Sequence, residues 1–381
     1  AAELCTGKLD DRAGAIQRYE ALLAEAPGDL SVLRAIDLLY EAEGRQVEYL
    51  ENLERQADAT DDLHERAALY RRLALLWEDE RGGALRAEQC WQTLLTIEPD
   101  AEDALRALER SYRAGRRFPA LVEALRRRAK LASLPMRAEI YCEIGSIHEH
   151  ELGDRDQAIE AHLLAEQAEP THEPSLIALA RLFDETGAWH SAVDRLVKRA
   201  KLVPQPTEAL PLYLRAGERA GARLDDSAQA ETWFARALEI DATNVPARIQ
   251  LAALHKRAGA PLRAAKLLVE AVEHTTNHLE RTQFFVEAAQ LYERVDDEVR
   301  ATELYLLALE LDPEHVVAAA QVADLLWRQG RWGDLVPVLE MLTRRDAEAD
   351  VQLERLLRLA RAARSAEQPD KAARAWARAA D

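Results

Sequence analysis

The chain has 381 residues, 48% of them hydrophobic, and a formal net charge of −18 from 68 acidic and 50 basic side chains. That balance disfavours nucleic acid as a partner, because nucleic-acid binders usually carry a basic field. Cys5, Cys90 and Cys142 form neither a disulfide framework nor a metal-binding spacing, and no apolar run reaches the roughly 18 residues that cross a bilayer.

Ala, Leu, Arg and Glu dominate and β-branched residues are sparse, so helix is expected along the whole chain. Residues 1–59 read as an incomplete unit. Cys5 stands where Trp77 stands further on, which makes the first residues the tail of a helix. The first complete unit reads as helices at 61–80, 84–97, 101–114 and 118–132. Units at 134–203, 206–275 and 277–345 copy it, and 350–381 begins another.

The landmarks recur at a fixed distance. Pro27, Pro99, Pro170, Ala242 and Pro313 are separated by 72, 71, 72 and 71 residues. Ala15, Ala87, Ala158, Ala230, Ala301 and Ala372 are separated by 72, 71, 72, 71 and 71. Gly44, Gly115, Gly187, Gly259 and Gly330 follow the same period, and Gly115, Gly187, Gly259 and Gly330 are expected to close a helix in the left-handed conformation. A period near 72 is too long for one helical hairpin and fits two hairpins of unequal length. The prolines cannot continue a helix interior. Asp225-Asp226-Ser227 and Asp296-Asp297-Glu298 supply acceptors for the free N–H groups that open the next helix.

Second helices read Ala87…Trp91…Leu94-Leu95…Pro99, Ala230…Phe234…Ala237-Leu238 and Ala301…Tyr305…Ala308-Leu309…Pro313. First helices read Tyr70…Leu73-Ala74…Trp77, Tyr141…Ile144-Gly145…His148, Tyr213…Ala216-Gly217…Ala220 and Phe284…Glu287-Ala288…Leu291. Small residues stand where helix axes approach, and aromatics fill the space beside them. This pattern resembles the tetratricopeptide repeat, over essentially the whole chain. The alternate hairpins depart from the motif, with Phe118, Trp189 or Trp332 opening their second helix. Long arrays with such alternation resemble repeat proteins of gliding and predatory bacteria.

The resemblance implies an all-α fold, a right-handed α-solenoid of about ten to eleven antiparallel hairpins, forming a single array over 1–381. It implies a non-catalytic scaffold whose first helices line a concave groove for a partner protein or peptide. By the family pattern the groove positions are Arg71, Arg72, Leu75, Cys142, Glu143, Ser146, Leu214, Arg215, Glu218, Phe285, Val286 and Ala289. The family's carboxylate clamp needs Lys and Asn where Arg71, Leu75, Cys142 and Ser146 stand, so a chaperone-tail receptor is not expected. The array reads as a window cut from a longer protein. A structural spacer or lattice part of a bacterial surface or motility machine, or the regulatory arm of a multidomain protein, is the alternative, and self-association stays open.

Residues 104–132 hold nine basic groups against two acidic ones, a net charge of +7. Arg106, Arg110, Arg113, Arg126, Arg127, Arg128 and Lys130 are therefore a candidate patch for an acidic partner, unless acidic neighbours within the chain neutralise them. No enzyme, cofactor or metal is expected. His274 and His278 flank a turn, His148 and His150 lie on different helix faces, and Arg81-Gly82-Gly83 is an inter-helix turn rather than a phosphate loop. The three thiols fit a cytoplasmic setting, with the periplasm open because the N-terminus reads as cut.

Overall fold

The structure, a computed structural model, describes residues 11–80, 82–345 and 348–380. Cys5 and the expected helix tail around it lie outside the described residues. Among those residues the chain forms twenty-one α-helices and no strand. α1 (Arg12–Glu25) is a second helix; hairpins follow at α2 (Leu30–Ala42) with α3 (Gln46–Ala59), α4 (Leu63–Asp79) with α5 (Ala84–Ile97), α6 (Glu102–Ala114) with α7 (Phe118–Leu131), and α8 (Leu134–His150) with α9 (Arg155–Ala168). Then come α10 (Glu173–Thr186), α11 (Trp189–Leu202), α12 (Pro206–Arg223), α13 (Ser227–Ile240), α14 (Val245–Arg257) and α15 (Pro261–Glu273). The series closes with α16 (His278–Glu293), α17 (Glu298–Leu311), α18 (Val316–Gln329), α19 (Trp332–Leu342), α20 (Ala349–Ser365) and α21 (Pro369–Ala380). The two hairpin types alternate as expected. First helices of the long type, such as α4 and α8, have 17 residues each, and those of the short type, α2 and α6, have 13.

Contacts divide the chain into two compact units, Ala1–Leu179 and Ala180–Asp381. In the first, each helix from α1 to α9 packs on the next; in the second, each from α11 to α21 does so. Such nearest-neighbour packing is what makes a solenoid, since no hairpin can bury its apolar face alone. The first unit's core runs from Ala15 and Ile16 through Leu73, Leu94 and Leu105 to Ile144. The second unit's largest cluster includes Phe285, Tyr305, Val322 and Leu335.

The close-approach positions behave as the spacing requires. A Cβ on Gly145 would stand 2.6 Å from the His162 ring, and one on Gly217 would stand 2.8 Å from Phe234. Trp91, His162, Phe234 and Tyr305 share one register and are all buried. The Asp caps also hold: Asp154, Asp226 and Asp297 accept from the backbone N–H of Gln157, Gln229 and Arg300 at 3.0, 2.9 and 3.1 Å.

Two sequence expectations are corrected. Gly115 has φ −83, and the left-handed residue of that turn is Arg116, at φ 53. With Arg116 in place, the left-handed residues 44, 116, 187, 259 and 330 keep the 72, 71, 72, 71 spacing of the prolines. The other five positive-φ residues, Gly82, Gly153, Asp225, Asp296 and Glu367, mark the long-hairpin turns. The second correction concerns α16. Its motif reads Phe285…Ala288-Ala289…Tyr292, one residue later than expected, with Phe285, Ala288 and Ala289 buried. Glu287 thereby leaves the core position at which a charge would have been anomalous.

Candidate partner-binding site

The expected groove positions fall on α4, α8, α12 and α16, and most of them are engaged within the chain. Arg71 donates to Glu98 at 2.8 Å and to Asp103 at 2.5 Å. Arg72 bridges Asp37 and Glu41 at 3.5 and 3.8 Å and covers the Tyr49 ring. Cys142 is half-buried, and burial pushes its thiol upward; Ser146 donates its hydroxyl to the Cys142 carbonyl at 3.1 Å. Leu214 is half-buried and packs on the Phe234 cluster, while Glu218 is exposed. Phe285, Val286 and Ala289 are 9%, 8% and 0% exposed, so the one-residue shift of α16 takes them into the core. Glu287 and Gln290 take up the outward positions instead.

Ion pairs between successive first helices explain several of these residues. Glu41 on α2 meets Arg72 on α4, and Arg113 on α6 meets Glu143 on α8. Asp184 on α10 meets Arg215 on α12 at 3.8 Å, and Lys256 on α14 meets Glu287 on α16 at 2.6 Å. Asp324 on α18 then meets Arg358 on α20 at 2.7 Å. The sign of the charge on each side alternates from one repeat to the next. Arg72, Glu143 and Arg215, read in sequence as partner contacts, are thus rungs between hairpins.

The basic stretch is largely neutralised by acidic neighbours. Arg113, Arg116 and Arg117 pair with Glu143, Glu151 and Glu88, and Arg128 donates to the buried Glu109 at 2.6 Å. Arg127 donates to the Pro99 carbonyl at 2.9 Å and Arg126 to Gln157 at 3.0 Å. Lys130 lines a smaller cavity with Glu123 and Tyr141.

Arg106 and Arg110 also pair with acidic neighbours, Glu102 and Glu78, and their side chains stay 58% and 63% exposed. With Arg71, Leu75, Trp91, Glu102 and Asp103 they line a cavity of about 510 Å³ between α4 and α6. A neighbouring cavity of about 580 Å³ shares Trp91 and Arg110. The structure therefore joins Arg71 and Leu75, expected as groove residues, to Arg106 and Arg110, expected as a separate basic patch. Sequence reasoning missed Trp91 as the floor and Asp103 as the group that aims Arg71. The repeat already held that signal, because residues 102, 106 and 110 share one face of a short first helix.

Among the described residues no group of three or more His, Cys, Asp or Glu side chains could hold a metal ion. Cys90 is buried with its thiol pushed up to about 11 by burial, which keeps it protonated and unreactive near neutrality. No described helix is long and apolar enough to cross a membrane.

Residues 138–172, which span most of α8 and α9, match the model of the tetratricopeptide repeat. No curated protein matches the chain. Among solved structures, MamA is similar at 20% identity over 46% of this chain and 92% of that one, with a TM-score of 0.35. YrrB, described as a tetratricopeptide-repeat protein with an unusual peptide-binding site, is similar at 16% identity over 48% and 89%, with a TM-score of 0.34. The C-terminal part of a repeat protein from Cytophaga hutchinsonii is similar at 15% identity over 65% and 97%, with a TM-score of 0.36.

Proposed function

We propose that this chain, whose residues 138–172 match the tetratricopeptide repeat, serves as a non-catalytic scaffold that holds a partner protein through the first-helix face of α4 and α6. The observation that carries this reading is the cavity in which Arg106 and Arg110 stand exposed beside Leu75, itself 52% exposed, above the Trp91 ring. Two guanidiniums next to an apolar floor suit an acidic segment that carries one large apolar side chain. Arg is the residue of choice for such contacts, since its planar donors meet a carboxylate in pairs. Arg71 is held by two carboxylates and shapes the wall rather than contributing free charge.

The test is binding of a labelled peptide with the pattern Asp-Glu-x-Leu-x-x-Glu to the full chain, read by fluorescence anisotropy. Arg106→Glu with Arg110→Glu is expected to weaken it at least tenfold, and raised salt is expected to weaken it further. Both side chains are exposed, so losing their surface pairs with Glu102 and Glu78 and gaining like-charge contacts there is expected to lower the melting temperature only slightly. Equal affinity in the variant would remove the site from consideration.

A further inference from the structure

One short first helix lacks a side chain that its counterparts bury. Residues 39, 111, 182, 254 and 325 share one register, spaced by 72, 71, 72 and 71. Four of them are Leu39, Leu182, Leu254 and Leu325, each 8% exposed or less. The fifth, on α6, is Ser111. In the fourth copy Leu254 clusters with Ala230 and Phe234, and a Cβ on Gly221 would stand 3.4 Å from the Leu254 Cδ2. The residues in register with Gly221, Ala230 and Phe234, each 143 positions earlier, are Glu78, Ala87 and Trp91.

Around Ser111 the corresponding space is open. Glu78, Ala87, Trp91 and Ser111 line the cavity of about 580 Å³ between α5 and α6, where Ala84, Leu85, Ala107 and Ala114 add carbon surface. Leu85 is 66% exposed and forms an apolar lip. The polar wall is neutralised from within. The buried Glu88 accepts from Ser111 at 3.0 Å, from Gln92 at 3.1 Å and from both terminal nitrogens of Arg117. Arg117 holds its carboxyl below the usual carboxylate range. An apolar side chain entering here would displace water from carbon and break none of these bonds.

The cavity adjoins the α4–α6 site, since Trp91 and Arg110 line both. At their boundary Glu78 accepts from the Trp91 indole at 2.8 Å and faces Arg110 at 3.5 Å. We propose that the Ser111 cavity takes a leucine side chain from the same acidic segment, as a second apolar anchor beyond Arg110. Four sister copies supply this leucine from within the fold, and here the partner supplies it. The proposal rests on the reading of α4 and α6 as the segment's site. It narrows the partner to an acidic segment with an apolar residue on each side of the carboxylate that meets Arg110.

The probe is the labelled peptide Asp-Glu-x-Leu-x-x-Glu with a leucine added in turn at each of the next four positions, titrated onto the full chain by fluorescence anisotropy. One added leucine is expected to raise affinity about tenfold over the parent peptide. Ser111→Leu places the sister residue in the cavity and is expected to cancel that gain, with helix content by circular dichroism retained. Ser111→Val, a smaller plug, makes the same comparison should the leucine variant unfold. If the parent peptide binds and no added leucine improves it, the proposal is overturned and the α4–α6 site stands. A gain that survives the plugged cavity overturns it as well. A leucine peptide that binds where the parent does not, and is lost in Ser111→Leu, would support the cavity and remove the acidic site. No binding by any peptide overturns both. A dimer of the peptide-free chain in sedimentation that Ser111→Leu dissociates also overturns the proposal, because the occupant would then be a second copy.

Discussion

Lys256 on α14 donates to the Glu287 carboxylate on α16 at 2.6 Å, with the charges exchanged relative to Asp184 and Arg215 one repeat earlier. Neither side chain of the Lys256–Glu287 pair is deeply buried, so the pair is worth about 0.5 kcal/mol in a screened surface setting. Its alternation matters more for register. A hairpin docked one repeat out of place would set like charges opposite each other. Lys256→Glu and Glu287→Lys are each expected to lower the urea midpoint, and the double exchange is expected to recover most of the loss. A double-mutant cycle should return a favourable coupling of about 0.3–1 kcal/mol that shrinks as salt rises. Strictly additive effects would show that the rung carries no interaction.

Glu109 and Arg128 form the opposite case, an ion pair taken out of water. Their side chains are 6% and 14% exposed, and the Glu109 carboxyl is pushed up by burial against the pull of Arg128. Removing one partner strands the other charge, which costs about 3–5 kcal/mol. Arg128→Ala is therefore expected to destabilise the first unit far more than Arg106→Ala, whose side chain sits at the surface. Denaturant melts of the two variants make the comparison. Similar losses would mean that Glu109 finds another donor or is protonated in the fold.

The repeat was legible because its causes are local. Alanine at close approaches, aromatics beside them and prolines after second helices each act through neighbours in the chain, and their spacing fixed the hairpins to within a residue or two. Three things were not legible. Arg116 holds the left-handed turn although Gly115 stands next to it, because the backbone keeps the repeat spacing and the side chain follows. In α16, Phe284 and Phe285 are adjacent, so either satisfies the large position; packing of Ala288 and Ala289 selects the second. That single step buries Phe285, Val286 and Ala289. The ion-pair rungs escaped notice for a different reason. They join residues some thirty positions apart, and their charges alternate in sign, so no single repeat displays the pattern.

The Arg116 turn yields a stability prediction. A non-glycine residue in the left-handed region costs about 1 kcal/mol, and four of the five equivalent turns use glycine there. Arg116 also makes a surface contact to Glu151 and lies over Phe118, a smaller gain at an exposed site. Arg116→Gly is expected to raise stability by a few tenths to about 1 kcal/mol, and Gly259→Ala is expected to lower it by about 1 kcal/mol. Thermal melts of the two variants should move in opposite directions. A drop with Arg116→Gly would mean that the side-chain contacts outweigh the backbone strain.

His148 makes stability depend on pH. It is buried on α8, and burial, with Arg126 nearby, holds its imidazole below the ordinary 6.5; Asp154 and Glu160 oppose this only partly. The unfolded chain therefore takes up a proton at His148 at a pH where the fold still resists it. Between that folded value and 6.5 the unfolded state binds more protons, so stability falls as the pH drops below 6.5 and levels off once both states are protonated. His148→Leu keeps an apolar side chain of similar size and removes the proton site. Urea midpoints of the wild type are expected to fall from pH 8 to pH 5.5 by more than those of His148→Leu, with the other histidines contributing equally to both. Parallel pH curves for the two proteins would place the titration elsewhere and show that His148 is protonated as readily in the fold as outside it.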